Sequence, residues 1–215
     1  MTKILVLNHD SEFLPELLEF LESRGIETVL KRPMDEIGED FDGAIASGGF
    51  LKKESAKAAM QWYREFLGRL ERPFLGICLG LRILGIANGA RARKISLKKG
   101  LCNVSFSKEF PLLQGKQRIS AFRSHEFELI PELPESLENF AMCEDCAVQA
   151  LKVNGRLQFA VQFHPEKRGT EANEILENFL KLCESGKKSS KESQILPHSA
   201  FKSSKQPLIF CKAEG

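Results

Sequence analysis

The 215-residue sequence has no long apolar run and little net charge of either sign. No stretch approaches the roughly 18 apolar residues of a membrane-spanning helix. Residues 1–7 end in an apolar run that is too short for a secretory signal peptide. Six cysteines are scattered without the spacing of a disulfide framework, which favours a reducing compartment. We therefore expect a cytoplasmic protein that neither crosses nor binds a membrane.

The net charge of +2 is unevenly distributed along the chain. Residues 185–215 contain six lysines and two acidic residues, whereas residues 1–184 contain 25 basic and 27 acidic residues. No basic face in residues 1–184 indicates nucleic-acid binding. The last 31 residues are also rich in serine and lack hydrophobic periodicity. We predict a globular domain over residues 1–184 and a disordered tail over residues 185–215.

Apolar runs alternate with helical patterns in the first half of the chain, which predicts an α/β fold. The predicted parallel strands are residues 4–7, 27–31, 42–46, 74–77 and 157–163, and the predicted helices are residues 14–21, 53–70, 79–87 and one that Thr170 caps. After residue 89, strands at 101–107, 117–122 and 147–152 have few helices between them, which predicts an antiparallel flap. The predicted fold is an open, mostly parallel sheet flanked by helices, with a small antiparallel flap.

Residues 76–80, Gly-Ile-Cys-Leu-Gly, follow a predicted strand and open a predicted helix. This is the Gly-x-nucleophile-x-Gly pattern of an elbow that presents a nucleophile on a sharp turn, here with cysteine. Gly76 and Gly80 leave room for the chain and for a substrate. The helix start favours a Cys78 thiolate, the form that attacks carbonyl groups. The alternative is a buried structural cysteine at a strand end.

Residues 164–166, His-Pro-Glu, end the last predicted strand and supply a base with an orienting group. Residues i and i+2 of an extended chain point to the same side, so we expect the Glu166 carboxylate to hold the His164 imidazole. We expect Pro165 to keep this segment extended. Ligands bind at the carboxyl ends of parallel strands, where Cys78 and His164 are both predicted to lie. The alternative is a surface histidine beside a glutamate.

These two motifs and residues 47–49, Ser-Gly-Gly, resemble the three signatures of class I glutamine amidotransferases. The resemblance covers residues 1–184, with the motifs in the order and spacing of that family. It implies a flavodoxin-like fold and a catalytic triad of Cys78, His164 and Glu166. The triad would hydrolyse L-glutamine to glutamate and ammonia through a cysteinyl thioester, without a cofactor or metal ion.

The resemblance also implies which groups bind the substrate. Backbone N–H groups of Gly49 and Leu79 would hold the oxyanion, with Gly48 in the same turn as Gly49. The family usually has a glutamine at the position of Arg82, where it helps to hold the substrate. Arg82 accepts no hydrogen bond and carries a permanent charge. We hypothesise that it binds the α-carboxylate of the substrate; the alternative is that it faces solvent and weakens the pocket.

Within this family, residues 124–150 are most similar to the glutamine-hydrolysing subunit of archaeal-type GMP synthase. This similarity implies that ammonia passes to a separate ATP-dependent synthetase subunit, since the sequence has no Gly-x-x-x-x-Gly-Lys loop for ATP. Residues 8–11 instead resemble the small subunit of anthranilate synthase. Two further hypotheses are open: a hydrolase of another γ-glutamyl compound, because of Arg82, and a catalytically weak scaffold that binds a synthetase without supplying ammonia.

Four further candidates lie outside these motifs. Cys143 and Cys146 could form half of a zinc or redox site, but no second pair follows, which favours a structural role. His125 lines either the cleft or the surface that faces the synthetase, or belongs to a plain loop. His9 follows the first predicted strand, near the expected site. His198 lies in the predicted tail and is assigned no role.

Overall fold

The computed structural model describes residues 1–195 of the chain. The strands of this part are β1 (Lys3–His9), β2 (Glu27–Lys31), β3 (Gly43–Gly49), β4 (Phe74–Ile77), β5 (Ala92–Phe106), β6 (Arg118–Leu129), β7 (Leu137–Cys143), β8 (Cys146–Val153) and β9 (Gln158–Val161). The helices are α1 (Leu14–Glu22), α2 (Ala56–Arg69), α3 (Leu79–Ala87) and α4 (Asn173–Ile195). None of the helices in residues 1–195 is both long and apolar enough to cross a membrane.

The described strands form one sheet in the order β2-β1-β3-β4-β9-β8-β7-β5-β6. Neighbours from β2 to β9 in that order are parallel, and neighbours from β9 to β6 are antiparallel. The predicted α/β fold with an antiparallel addition is confirmed. The addition is not a separate flap, however, because β8 pairs with β9 and continues the hydrogen-bonded ladder of the parallel strands.

Both faces of the parallel strands are covered, which explains their continuous apolar runs. Successive side chains of a strand point to opposite faces of the sheet. In β1, Ile4 and Val6 belong to a core that includes residues of α1 and α4. Leu5 and Leu7 belong to a second core that includes residues of α2 and α3. The two cores fix the sheet between its helices.

Three strands of the antiparallel part differ from the sequence prediction. Strand β6 continues to Leu129 instead of ending at residue 122, because its second half pairs with the first half of β5. Strand β7 was not predicted, because register irregularities between Asn139 and Cys143 break the alternation of apolar and polar residues. Strand β5 begins at Ala92 instead of residue 101, since its first half is charged and exposed and carries no apolar pattern. Pairing with β6 from Ala92 to Ser105 makes this half a strand.

The last helix also differs from the prediction. Thr170 does not cap it, because α4 begins at Asn173 and the Thr170 hydroxyl donates to the Lys167 carbonyl at 3.0 Å. The helix continues to Ile195, past the domain boundary predicted at residue 184. Residues 196–215 of the predicted tail, including His198, lie outside the described residues.

Helix α3 approaches the sheet more closely than a side chain at Gly80 would allow. A β-carbon on Gly80 would lie 2.6 Å from the carbonyl oxygen of Ala46 in β3. A β-carbon on Gly76 would lie 2.5 Å from the carbonyl carbon of Gly80. Both are backbone atoms, which can be displaced only if the strand or the helix itself shifts. The two glycines therefore set the distance between α3 and the strands beneath it.

We expect Gly80→Ala to lower the free energy of unfolding by about 1–3 kcal/mol, because the added methyl group must push α3 away from β3. Gly68→Ala is the matched control: Gly68 also lies in a helix, but a β-carbon added there would meet nothing within 4 Å. The control should raise the free energy of unfolding by up to about 1 kcal/mol through helix propensity alone. Urea denaturation measures both, and equal effects would contradict the packing argument.

Candidate active site

Cys78 occupies a strained turn between the end of β4 and the start of α3. Its backbone angles are φ 52° and ψ −95°, in a region that residues with a side chain rarely adopt. The Cys78 N–H donates to the carbonyl of Val161 in β9 at 2.8 Å. This hydrogen bond ties the turn to the strand that leads to His164. The backbone geometry is that of the predicted elbow.

His164 and Glu166 follow β9 and lie beside Cys78. The His164 N–H donates to the Phe122 carbonyl at 2.7 Å, and its Nδ1 lies 2.7 Å from Glu166 Oε1. Both side chains are buried, with 2% of each residue exposed. A β-carbon on Gly48 would lie 2.8 Å from His164 Cε1 and 3.6 Å from Cys78 Cβ. Gly48 therefore leaves the space through which the imidazole and the cysteine approach each other.

The charges around His164 favour its imidazolium form. Burial by itself lowers the pKa of His164, but the Glu166 carboxylate and the Cys78 sulfur raise it to about 10. Because Nδ1–H donates to Glu166, the other ring nitrogen is free to face the sulfur. Phe13 packs against the imidazole, with 4.4 Å between the ring centroids, and helps to exclude water.

The segment that carries His164 and Glu166 is a turn, so the expectation of an extended chain is wrong. The Lys167 N–H donates to the His164 carbonyl at 3.2 Å, which closes a β-turn with Pro165 in its second position. Proline is favoured there, because its fixed φ suits the turn. The Asn173 side chain donates to the Pro165 carbonyl and holds the turn against α4. The turn still brings the carboxylate to the imidazole.

Two neighbours of Cys78 escaped the sequence analysis. The Cys78 thiol lies 3.6 Å from the carbonyl oxygen of Ser124 in β6, and Gln162 Nε2 lies 3.7 Å from the sulfur. Gln162 interrupts the apolar run that precedes His164, and this buried polar position was the available signal. Nothing local marks Ser124, because it reaches the site only through the antiparallel part of the sheet.

A cleft of about 370 Å³ opens beside Cys78. Its lining includes Gly49, Leu79, Arg82, His125 and Gln162. His125 Nε2 and Gln162 Oε1 are buried and have no hydrogen-bond partner among the residues that the structure describes. Buried polar atoms are normally paired, so these two atoms have unused hydrogen-bonding capacity beside the cleft. Of the interpretations of His125, the structure supports the one in which it lines the cleft, and the residue lies in β6 instead of a loop.

Arg82 lies in the wall of this cleft, beside an aromatic ring. Its guanidinium carbon lies 4.4 Å from the centroid of the Phe127 ring. Burial lowers the pKa of Arg82, and the charge of Cys78 opposes that shift. Within residues 1–195, no carboxylate forms a salt bridge with Arg82. The guanidinium is therefore available to an anionic ligand.

Gly48 and Gly49 are the last two residues of β3 instead of a turn, and they rest on His9, which supports the cleft without lining it. A β-carbon on Gly49, whose φ is 116°, would lie 2.0 Å from the His9 carbonyl oxygen. His9 Nε2 lies 2.6 Å from the hydroxyl of Tyr63. Burial lowers the pKa of His9 to about 4, so its ring is neutral. Leu79, across the cleft, is the first residue of α3, where helix N–H groups have no partner within the helix.

The family to which the chain belongs follows from comparison with known proteins. The profile of the family described as "Glutamine amidotransferase class-I" matches residues 5–183. The chain therefore belongs to the class I glutamine amidotransferases, as the sequence motifs predicted.

Several archaeal proteins are similar to most of the chain. The glutamine-hydrolyzing GMP synthase subunit of Sulfolobus acidocaldarius is 31% identical over 186 residues, which are 84% of this chain and 98% of that protein. The protein of the same name from Methanocaldococcus jannaschii is 31% identical over 188 residues, 84% of this chain and 97% of that protein. The crystal structure of a putative GMP synthase subunit from Thermoplasma acidophilum has a TM-score of 0.80 at 26% identity, and covers 89% of this chain and 98% of that one.

We expect Glu166→Gln to lower the pKa of His164, because the neutral amide removes the charge that favours the imidazolium. An NMR titration of the His164 ring protons measures the shift. Glu16→Gln is the control, since Glu16 pairs with Lys167 at 3.0 Å and does not contact the imidazole. A His164 pKa that stays the same in Glu166→Gln would contradict the electrostatic role of Glu166.

Proposed function

We propose that the chain is a glutaminase subunit, which hydrolyses L-glutamine to glutamate and ammonia with Cys78, His164 and Glu166 as its catalytic triad. The observation that carries this proposal is the approach of these three side chains to one another, with Cys78 in the lining of a cleft, in a member of the class I glutamine amidotransferases. A sulfur beside an imidazole that a carboxylate orients is the arrangement of an activated cysteine nucleophile.

In the first half of the reaction, the Cys78 thiolate attacks the side-chain carboxamide carbon of glutamine. Backbone N–H groups of Gly49 and Leu79 would stabilise the negative charge that develops on the carboxamide oxygen. The His164 imidazolium donates its proton to the departing nitrogen, and ammonia leaves. A γ-glutamyl thioester on Cys78 remains. The raised pKa of His164 supports an imidazolium that is ready to donate this proton.

In the second half, water hydrolyses the thioester. The His164 imidazole, now neutral, takes a proton from water as the oxygen attacks the thioester carbonyl. The C–S bond then breaks, glutamate leaves, and the thiolate–imidazolium pair is restored. Glu166 stabilises the imidazolium in both halves and fixes the orientation of the ring. Its burial supports this role, because a buried carboxylate acts strongly on a neighbouring charge.

The proposed destination of the ammonia is an ATP-dependent synthetase subunit that makes GMP. The names of the archaeal relatives, which the chain matches over 97–98% of their length, support this assignment. The described cysteines are all free thiols, which agrees with the cytoplasm as the compartment. Arg82 favours a second candidate, in which the same triad acts on another γ-glutamyl compound.

We expect Cys78→Ala to lower glutamine hydrolysis to the detection limit, a loss on the order of a millionfold, because no other group can form the thioester. The assay measures glutamate and ammonia in the presence of the synthetase subunit. The same change should prevent labelling by an electrophilic analogue of glutamine. Cys183→Ala, which removes a core thiol of α4, is the control and should keep its activity.

Two outcomes would overturn the proposed function. Hydrolysis at nearly the parental rate in Cys78→Ala would refute the triad. An inactive parental protein with every synthetase that binds it would favour the scaffold alternative.

We also propose that Arg82 binds the α-carboxylate of the substrate. Its place in the cleft wall, its burial and its lack of an ionic partner among the described residues support this role. A guanidinium can form two parallel hydrogen bonds with a carboxylate, and such charge-assisted bonds are strong. Stacking on Phe127 would hold the side chain in place for the contact.

We expect Arg82→Gln to raise KM for L-glutamine by about 10- to 100-fold, since a hydrogen bond to a charged group contributes about 1.5–3 kcal/mol. L-Glutaminamide is the matched substrate, because it lacks the α-carboxylate and keeps the side-chain carboxamide. Its KM should be the same for the parental protein and the variant. Equal effects on both substrates, or none on either, would contradict a contact between Arg82 and the carboxylate.

A further inference from the structure

Two cysteines face each other on the antiparallel part of the sheet, among residues that do not line the active-site cleft. Cys143 ends β7 and Cys146 begins β8, and the two are register partners across the turn at residues 144–145. Directly opposed residues of antiparallel strands have Cα atoms about 4.5–5.5 Å apart. A disulfide bridges Cα separations of about 4.4–6.8 Å, so the backbone permits a bond between these two residues.

A third cysteine and an arginine surround the Cys143 sulfur. Arg123 Nη1 lies 3.3 Å from Cys143 Sγ, and Cys102 of β5 lies within hydrogen-bonding reach of the same sulfur. Asp145 also lies nearby, with Oδ1 at 3.4 Å from the sulfur, but Arg123 and Lys98 both form salt bridges with its carboxylate. The negative charge of Asp145 is thus compensated, and the guanidinium remains to stabilise a thiolate.

The three sulfurs differ in their protonation. Hydrogen bonds from Cys102 and Cys146, together with the charge of Arg123, hold the pKa of Cys143 well below its usual range. Hydrogen bonding to Cys143 and burial raise the pKa values of Cys102 and Cys146. The arrangement therefore consists of one thiolate with two neighbouring thiols. Burial likewise raises the pKa of Cys183, which lies in the core.

We propose that Cys143 and Cys146 form a peroxide-oxidised dithiol whose product is a reversible disulfide across the β7–β8 turn. The Cys143 thiolate attacks one oxygen of hydrogen peroxide. The O–O bond breaks, hydroxide departs, and Cys143 becomes a sulfenic acid. The Cys146 thiol then attacks the sulfenic sulfur, the S–O bond breaks, and water leaves with the thiol proton. The hydroxide takes a proton from the solvent, which balances the proton that Cys143 lost when its thiolate formed. The two sulfurs together give up two electrons, and one peroxide is reduced to two molecules of water.

Oxidation accounts for this cluster better than metal binding does. In residues 1–195, no group of three cysteine, histidine or acidic side chains is arranged to hold a metal ion. A single thiolate beside a resolving thiol is the arrangement of an oxidisable pair.

The test uses the full-length chain with Cys78→Ala, so that oxidation of the proposed nucleophile does not interfere. The protein is treated with hydrogen peroxide, free thiols are alkylated, and tryptic peptides are analysed by mass spectrometry. Cys143 and Cys146 share the peptide of residues 124–152, whereas Cys102 lies in residues 100–108. We expect the first peptide to become lighter by two hydrogen atoms and to escape alkylation until dithiothreitol is added.

Variants and an internal control separate the steps. Cys146→Ser should stop the reaction at a sulfenic acid on Cys143 that dimedone traps. Arg123→Gln should slow oxidation of Cys143 by about tenfold, since the thiolate loses its cation, and Arg123→Lys should restore most of the rate. Loss of folding would instead expose the thiol and speed its oxidation. Cys183, in residues 182–187, is the internal control and should stay reduced.

Two results would overturn the proposal. A cross-link between residues 100–108 and 124–152 would show that Cys102, not Cys146, is the resolving thiol. Oxidation of Cys143 no faster than that of Cys183 would show that Arg123 and the neighbouring thiols do not activate it. The test does not depend on the proposed glutaminase activity, because it measures peptide masses in a variant that lacks Cys78.

Discussion

The parallel pairing of β4 with β9 is the contact on which the active site depends. Its register places Ile77 opposite Val161, and the Cys78 N–H continues the ladder by donating to the Val161 carbonyl. The two strands therefore end at the same edge of the sheet. There, β4 leads into α3, and β9 leads into the turn that carries His164. Residues far apart in the sequence become neighbours because their strands share hydrogen bonds.

Much of this part of the molecule could be predicted from the sequence, because its signals are local. Buried parallel strands have continuous apolar runs, such as residues 4–7 and 74–77. The glycines around Cys78 mark an elbow, since only glycine allows the backbone contacts at Gly76 and Gly80. The His-Pro-Glu motif indicated that Glu166 would meet His164. The motif did not reveal its turn, because Pro165 is compatible with both extended and turn conformations.

The antiparallel part of the sheet was less predictable, and so were the site residues that it supplies. Charged residues fill the first half of β5, and bulges interrupt β7, so neither strand shows an alternating pattern. Ser124 reaches the Cys78 thiol only because β6 lies over the cleft, which no local pattern encodes. The contact between Arg123 and Cys143 likewise joins two strands that are not neighbours in the sheet. Contacts of this kind depend on tertiary structure.

The continuity of the sheet through β8 also bears on how the protein loses its structure. Strand β8 forms hydrogen bonds with β9 on one side and with β7 on the other. Separation of the parallel strands from the antiparallel strands would therefore expose unpaired backbone N–H and C=O groups on both parts. We therefore expect the two halves of the sheet to unfold in one cooperative transition, without a stable half-folded state. Heat or denaturant that unfolds the hairpin of β7 and β8 would therefore also unfold the turn that carries Cys78, in the same transition.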